Sequence, residues 1–121
     1  MKSCYFDRES RAMLDLHDVT AALPSKYEGV YDVWRISRMS VPPPSRGHGI
    51  AARLLQAACN DADAFNVELV LEAVADTSHE NALNFEQLCA FYERRGFTHN
   101  PNMRGNMSRR PKESNALRTS G

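Results

Sequence analysis

At 121 residues the chain has room for one domain and one core. With 42% hydrophobic and 25% charged residues it has the balance of an ordinary globular protein. A core of this size needs no disulfide or metal staple. No apolar run approaches the ~20 residues that span a bilayer. Met1-Lys2-Ser3-Cys4 leads into polar sequence rather than an apolar signal region. No membrane association is therefore expected, and the cytoplasm is the default location.

The three cysteines, Cys4, Cys59 and Cys89, include no C-x-x-C pair, and the histidines at 17, 48, 79 and 99 are scattered. That spacing argues against a zinc site or a disulfide framework and for thiols in a reducing compartment. Net charge is zero but segregated. Residues 1–53 carry eight basic and six acidic side chains, residues 54–93 eight acidic and no basic ones, and residues 94–121 seven basic and one acidic. The acidic middle reads as a solvated surface or as a field that steers a cationic substrate. The basic last section has no interleaved aromatics after Phe97, which argues against a nucleic-acid module.

In chain order, Ala12, Leu16, Val19 and Leu23 recur at helical spacing, so a short amphipathic helix is expected over 11–23, ended by Pro24. Residues 30–41 are rich in β-branched and aromatic side chains and predict a strand, or a bent strand pair. Pro42-Pro43-Pro44 must end it, since proline offers no ladder donor. After Ser45-Arg46-Gly47-His48-Gly49, the residues Ile50, Leu54, Ala58 and Ala62 recur every four positions and predict a helix. Residues 67–75 alternate between a wholly apolar set and a mixed set containing Glu68 and Glu72, as in a central strand with one functional face. A polar loop follows over 76–83. Asn84 with Gln87 three residues on predicts a capping box opening a helix, and Gly96 is placed to close it. Phe97 reopens irregular or stranded structure to about residue 110. One α/β domain over 1–110 and a flexible tail over 111–121 are expected.

The strand–glycine loop–helix junction carries the strongest chemical signal. Amides at a helix N-terminus have no intrahelical acceptor and sit at the positive end of the macrodipole, so they suit phosphate oxygens. Gly47 and Gly49 allow close backbone approach, and Arg46 adds a full charge. The loop is neither a Walker A sequence nor a G-x-G-x-x-G fingerprint, and a plain structural turn would also explain it.

These residues resemble the GNAT superfamily of N-acetyltransferases. Val41-x-Pro43-x-x-Arg46-Gly47-x-Gly49-Ile50-Ala51, followed by Leu54-Leu55, is similar to that family's cofactor motif, with Arg46, Gly49 and Ala51 filling its short form. The resemblance, over roughly 34–97, implies a mixed, centrally splayed β-sheet flanked by helices, with acetyl-CoA as cosubstrate and no metal. It also implies pyrophosphate held by the backbone of Arg46, Gly47, His48, Gly49, Ile50 and Ala51, and a pantetheine arm paired with Met39-Ser40-Val41. Phe91-Tyr92-Glu93-Arg94-Arg95-Gly96-Phe97 is similar to the family's closing helix, which implies that Tyr92 protonates the leaving thiolate; a core tyrosine is the other reading. Glu72 falls where some members carry a general base, with water or Glu68 as alternatives. Residues 107–111 resemble a last family strand.

The implied reaction is direct transfer of an acetyl group to a primary amine, on a small molecule or a protein, by a monomer or homodimer. There are departures from the pattern. Only 45 residues precede Arg46, fewer than the family's N-terminal elements need. Phe85 stands where the family's asparagine is expected, with Asn84 one position earlier. Abbreviated or partner-supplied capping helices are implied, and with them an alternative: a catalytically silent GNAT-like module that binds acyl-CoA or a protein partner. Cys89 reads as a packed helix thiol rather than a covalent acyl acceptor.

Overall fold

The computed structural model describes residues 1–20, 32–45, 48–74, 83–100 and 106–112. Strands β1 (Cys4–Phe6), β2 (Met13–Asp18), β3 (Asp32–Ser40), β4 (Val67–Glu72), β5 (Thr98–His99) and β6 (Asn106–Arg109) form one sheet of order β1-β2-β3-β4-β6-β5. Helix α1 (Ile50–Phe65) connects β3 to β4, and α2 (Phe85–Glu93) follows β4. The β3–β4 pair is parallel and every other pair antiparallel. This is the mixed α/β sheet flanked by helices that the sequence implied.

The expected helix over 11–23 is replaced by strand β2, and residues 21–23 lie outside the described set. Two observations explain the change. Asp7 accepts bonds from the Ser10 amide (3.0 Å) and hydroxyl (2.6 Å), and Arg11 adopts φ 63°, so the chain reverses before Ala12. Ala12, Leu14 and Leu16 are then buried at period two, between partners β1 and β3 on either side. Sheet pairing satisfies the backbone of this segment and overrides a weak helical period.

Helix α1 buries Ile50, Leu55, Ala58, Cys59 and Ala62, close to the stripe read from the sequence, and Asn66 closes it at φ 58°. Helix α2 opens on the expected capping box: Gln87 N–H donates to Asn84 Oδ1 (2.8 Å) and Asn84 N–H to Gln87 Oε1 (2.9 Å). The helix ends at Glu93 rather than running up to Gly96, and Gly96 carries φ 92° at the end of the turn that follows.

Both helices pack on the sheet face bearing Leu69 and Leu71. Arg109, opposite Leu69, reaches Asp63 of α1 through two bonds (2.8 and 2.9 Å) and the Arg95 carbonyl beyond α2 (2.7 Å). The core on this face joins Leu14, Leu16, Leu55, Leu69, Tyr92 and Phe97.

Candidate active site

The β3–β4 pairing runs from Asp32↔Val67 to Arg35↔Val70 and stops there, although both strands continue. The cause lies on the other edge of β3. Its register with β2 passes from Leu16↔Ile36 to Asp15↔Arg38, leaving Ser37 as an extra residue outside the ladder. Such a bulge bends its strand and increases the local twist. The Ser37 hydroxyl donates to the Asp15 carbonyl at 3.1 Å. The second half of β3 therefore swings away from β4, and the gap opens as a cleft of about 640 Å³.

Met39, Ser40, Val41, Gly49, Ile50, Ala51, Glu72 and Tyr92 all line this cleft. Chain segments more than fifty residues apart thus meet in one cavity. His48 is exposed and is not on the cleft wall. Arg46 and Gly47 lie outside the described residues.

The cleft floor is the start of α1. The three prolines end β3 at Ser40, and a short 3-10 turn over Pro43–Ser45 redirects the chain, with Ser45 N–H donating to the Pro42 carbonyl (2.9 Å). Gly49 enters the helix at φ 73° and ψ 14°, a left-handed conformation that favours glycine. Among the described residues no side chain caps the helix, and no acidic residue stands in its first turn. Among the described residues nothing lies within 4 Å of where a Gly49 Cβ would sit. Gly49, Ile50, Ala51 and Ala52 bring the first turn of α1 to the cleft wall, and amides at a helix N-terminus suit phosphate oxygens.

Tyr92 forms part of the opposite wall. It is 7% exposed, with its ring edge-on to Phe91 (5.4 Å) and Phe97 (5.5 Å). Burial pushes its hydroxyl pKa up to about 12, and the nearby Cys89 adds to the rise. The phenol therefore stays protonated at neutral pH. Glu72, at the end of β4, is exposed, with Arg35 at 3.9 Å. Glu68 lies on the same strand face but is buried near Arg110 (3.8 Å) and lines a separate hollow of about 310 Å³. Of the two glutamates considered, Glu72 alone lines the cleft.

Other wall residues were not singled out by the sequence. Ser37 and Arg38 owe their place to the bulge, which has no signature in a strand of mixed polarity. Leu71, Val74, Leu83 and Leu88 make much of the wall apolar; in the sequence Leu71 belongs to the apolar set of its strand, whereas Val74 falls in the mixed set and Leu83 in the polar loop. Among the described residues no three His, Cys, Asp or Glu side chains are gathered as metal ligands would be, and no helix is long and apolar enough to cross a membrane.

The family described as Acetyltransferase (GNAT) domain matches residues 14–99 of the chain. No curated protein matches it. Among solved structures, the anti-CRISPR protein AcrVA5 superposes with a TM-score of 0.60 at 14% identity, covering 88% of this chain and 98% of that one. Chaetomium thermophilum Naa20, solved in complex with a bisubstrate analogue, gives 0.53 at 18% identity, covering 88% of this chain and 64% of that one. At such identities the likeness is one of fold. With a family match spanning both the glycine loop and the closing helix, the chain belongs to the GNAT acetyltransferase family.

Proposed function

We propose that this protein is an acetyl-CoA-dependent N-acetyltransferase that moves an acetyl group directly to a primary amine. The observation that supports it best is the single cleft uniting the uncapped α1 N-terminus, the splayed ends of β3 and β4, Glu72 and Tyr92. In this reading the amides at the start of α1, with Arg46, hold the cosubstrate's pyrophosphate, and Met39, Ser40 and Val41 pair with its pantetheine arm. An amide at the β3 bulge polarises the thioester carbonyl. Glu72, or a water beside it, takes the amine proton. Tyr92 faces the leaving sulfur. With its pKa near 12 against ~8.5 for a thiol, complete proton transfer from Tyr92 is uphill. Its contribution is a hydrogen bond to the departing thiolate, and the nucleophile's own proton completes the thiol. The acidic run from 54 to 93, which supplies Glu72, favours a cationic acceptor.

Acetyl-CoA should stabilise the native state by RT ln(1 + [L]/Kd), about 2.7 kcal/mol at a hundredfold excess over Kd. A panel of small amines and peptides, read by release of free thiol, tests turnover. Unchanged melting curves with both acetyl-CoA and CoA would refute the reading. A second reading is favoured by the packing of Tyr92 between Phe91 and Phe97, which a purely structural tyrosine would share. On that reading the protein is a silent module that binds acyl-CoA, and the same assay returns a raised melting point with no thiol release on any amine.

A further inference from the structure

Outside the cleft, α2 and β5 bring together a second set of reactive side chains. Cys89 Sγ lies 3.2 Å from His99 Nε2. The other ring nitrogen, Nδ1, lies 3.7 Å from Glu93 Oε1. Thiol, imidazole and carboxylate stand in the order that makes a nucleophile: one nitrogen takes the thiol proton, and the other, as N–H, turns toward a carboxylate. The arrangement is fixed by the helix period. Phe85, Cys89 and Glu93 are spaced four apart on one face of α2. The turn ending at Gly96, φ 92°, brings β5 back over that face, where the imidazole lies 6.3 Å from the Phe85 ring.

Among the described residues no imidazole stands beside either of the other two thiols in this way. A hydrogen bond with Asp15, more than any other influence, raises the Cys4 thiol pKa. Burial is the main cause that pushes the Cys59 thiol up, and its side chain is 0% exposed.

We propose that Cys89 is a modification site, a thiol that reacts with small hydroperoxides, with His99 as its base and Glu93 orienting the imidazole. The Cys89 sulfur attacks one peroxide oxygen. An S–O bond forms as the O–O bond breaks, sulfur is oxidised by two electrons and the peroxide is reduced. The thiol proton held on His99 goes to the departing hydroxide, so the products are a cysteine sulfenic acid and water. Cys89 is only 4% exposed, which restricts the reagent to molecules near the size of water, such as hydrogen peroxide. The half-exposed His99 and Glu93 mark the solvent side of the group. Tyr92, a residue of the cleft wall, follows one turn later. The proposal does not rest on the acetyl-transfer reading and can stand or fall apart from it.

The test exposes the native chain to hydrogen peroxide, quenches with catalase at timed points, unfolds it in dimedone and maps the label by peptide mass. Cys89 should label ahead of Cys4 and at least about tenfold faster than Cys59, since rate follows the thiolate fraction and access. His99→Asn should bring Cys89 down to the Cys59 rate, and Glu93→Gln, a change on an exposed side chain, should slow it as well. A merely structural role for His99 would move the melting point and leave the ratio of Cys89 to Cys59 labelling unchanged. Either that result, or a Cys89 in the wild-type chain no faster than Cys59, overturns the proposal. If His99→Asn fails to fold, Glu93→Gln decides: an unaltered ratio refutes the triad.

Discussion

At the scale of single residues, Tyr92 holds two positions at once: its ring is core and its place on the wall is the cleft's. Tyr92→Phe separates the two, because it keeps the ring contacts with Phe91 and Phe97 and deletes one hydroxyl. A hydrogen bond to a charged partner is worth about 1.5–3 kcal/mol. Turnover should therefore drop about tenfold or more, with CoA affinity and melting point nearly kept. The check is kcat beside the CoA dissociation constant on an amine for which chemistry limits the rate. Unchanged kcat would confine Tyr92 to packing. A neighbouring lesson concerns Cys89. Its partner His99 is ten residues away and comes into contact only through the turn at Gly96, so the sequence gives the thiol a bland environment and the fold gives it an imidazole.

At the scale of elements, the start of α1 was the most legible feature. Prolines, glycines and the four-residue apolar period each follow from local physics, so strand end, turn and helix could be read in order. The conformation of Gly49 supplies the sharper prediction. At φ 73° any L residue is strained, by roughly 1–2 kcal/mol. Gly49→Ala should lower stability by about that amount and, since the added methyl meets none of the described residues, leave the cleft intact. CoA affinity measured by calorimetry should fall well beyond what the lost stability explains, because the methyl would stand where phosphate approaches the backbone. Equal affinity would reduce the loop to a turn. Strand β3 is the contrasting element. Its existence was plain, but the bulge at Ser37 was not, because a bulge depends on the partner strand's register and turn, not on the residue that is left over.

At the scale of the whole molecule, one ion pair ties the last strand to α1, and the same guanidinium donates to the Arg95 carbonyl just beyond α2. Arg109 is 3% exposed and Asp63 24%. Removing the carboxylate leaves a buried guanidinium without its charge partner, so Asp63→Ala should cost about 3–5 kcal/mol. The acid dependence follows from the carboxyl's own pKa. Burial acts to raise it, but the Arg109 bonds, the Lys112 N–H and the charges of both outweigh burial and leave it below the ordinary 3.8. A folded pKa that is depressed gives stability that is complete above the ordinary value and fades as pH falls through the lowered one. The melting-point gap between wild type and Asp63→Ala should therefore be wide at pH 7 and narrow in acid. A gap independent of pH would mean that the pair contributes by packing alone.

The sequence by itself carried the family, through the resemblance of residues 41–55 and 91–97 to its motifs, and it determined the strand–loop–helix junction, the capping box at Asn84 and the alternation of β4. The last three depend on contacts within about four residues, or on a period that a single element imposes. Only the tertiary structure decided that residues 13–18 form a strand, since their backbone partners lie on β1 and β3. Only it decided where the sheet splays, that Glu72 rather than Glu68 lines the cleft, that Arg109 locks onto Asp63, and that Cys89 meets His99. Each of those joins residues whose separation along the chain carries no local signal, so their meeting is set by how the sheet twists and how the helices lie on it.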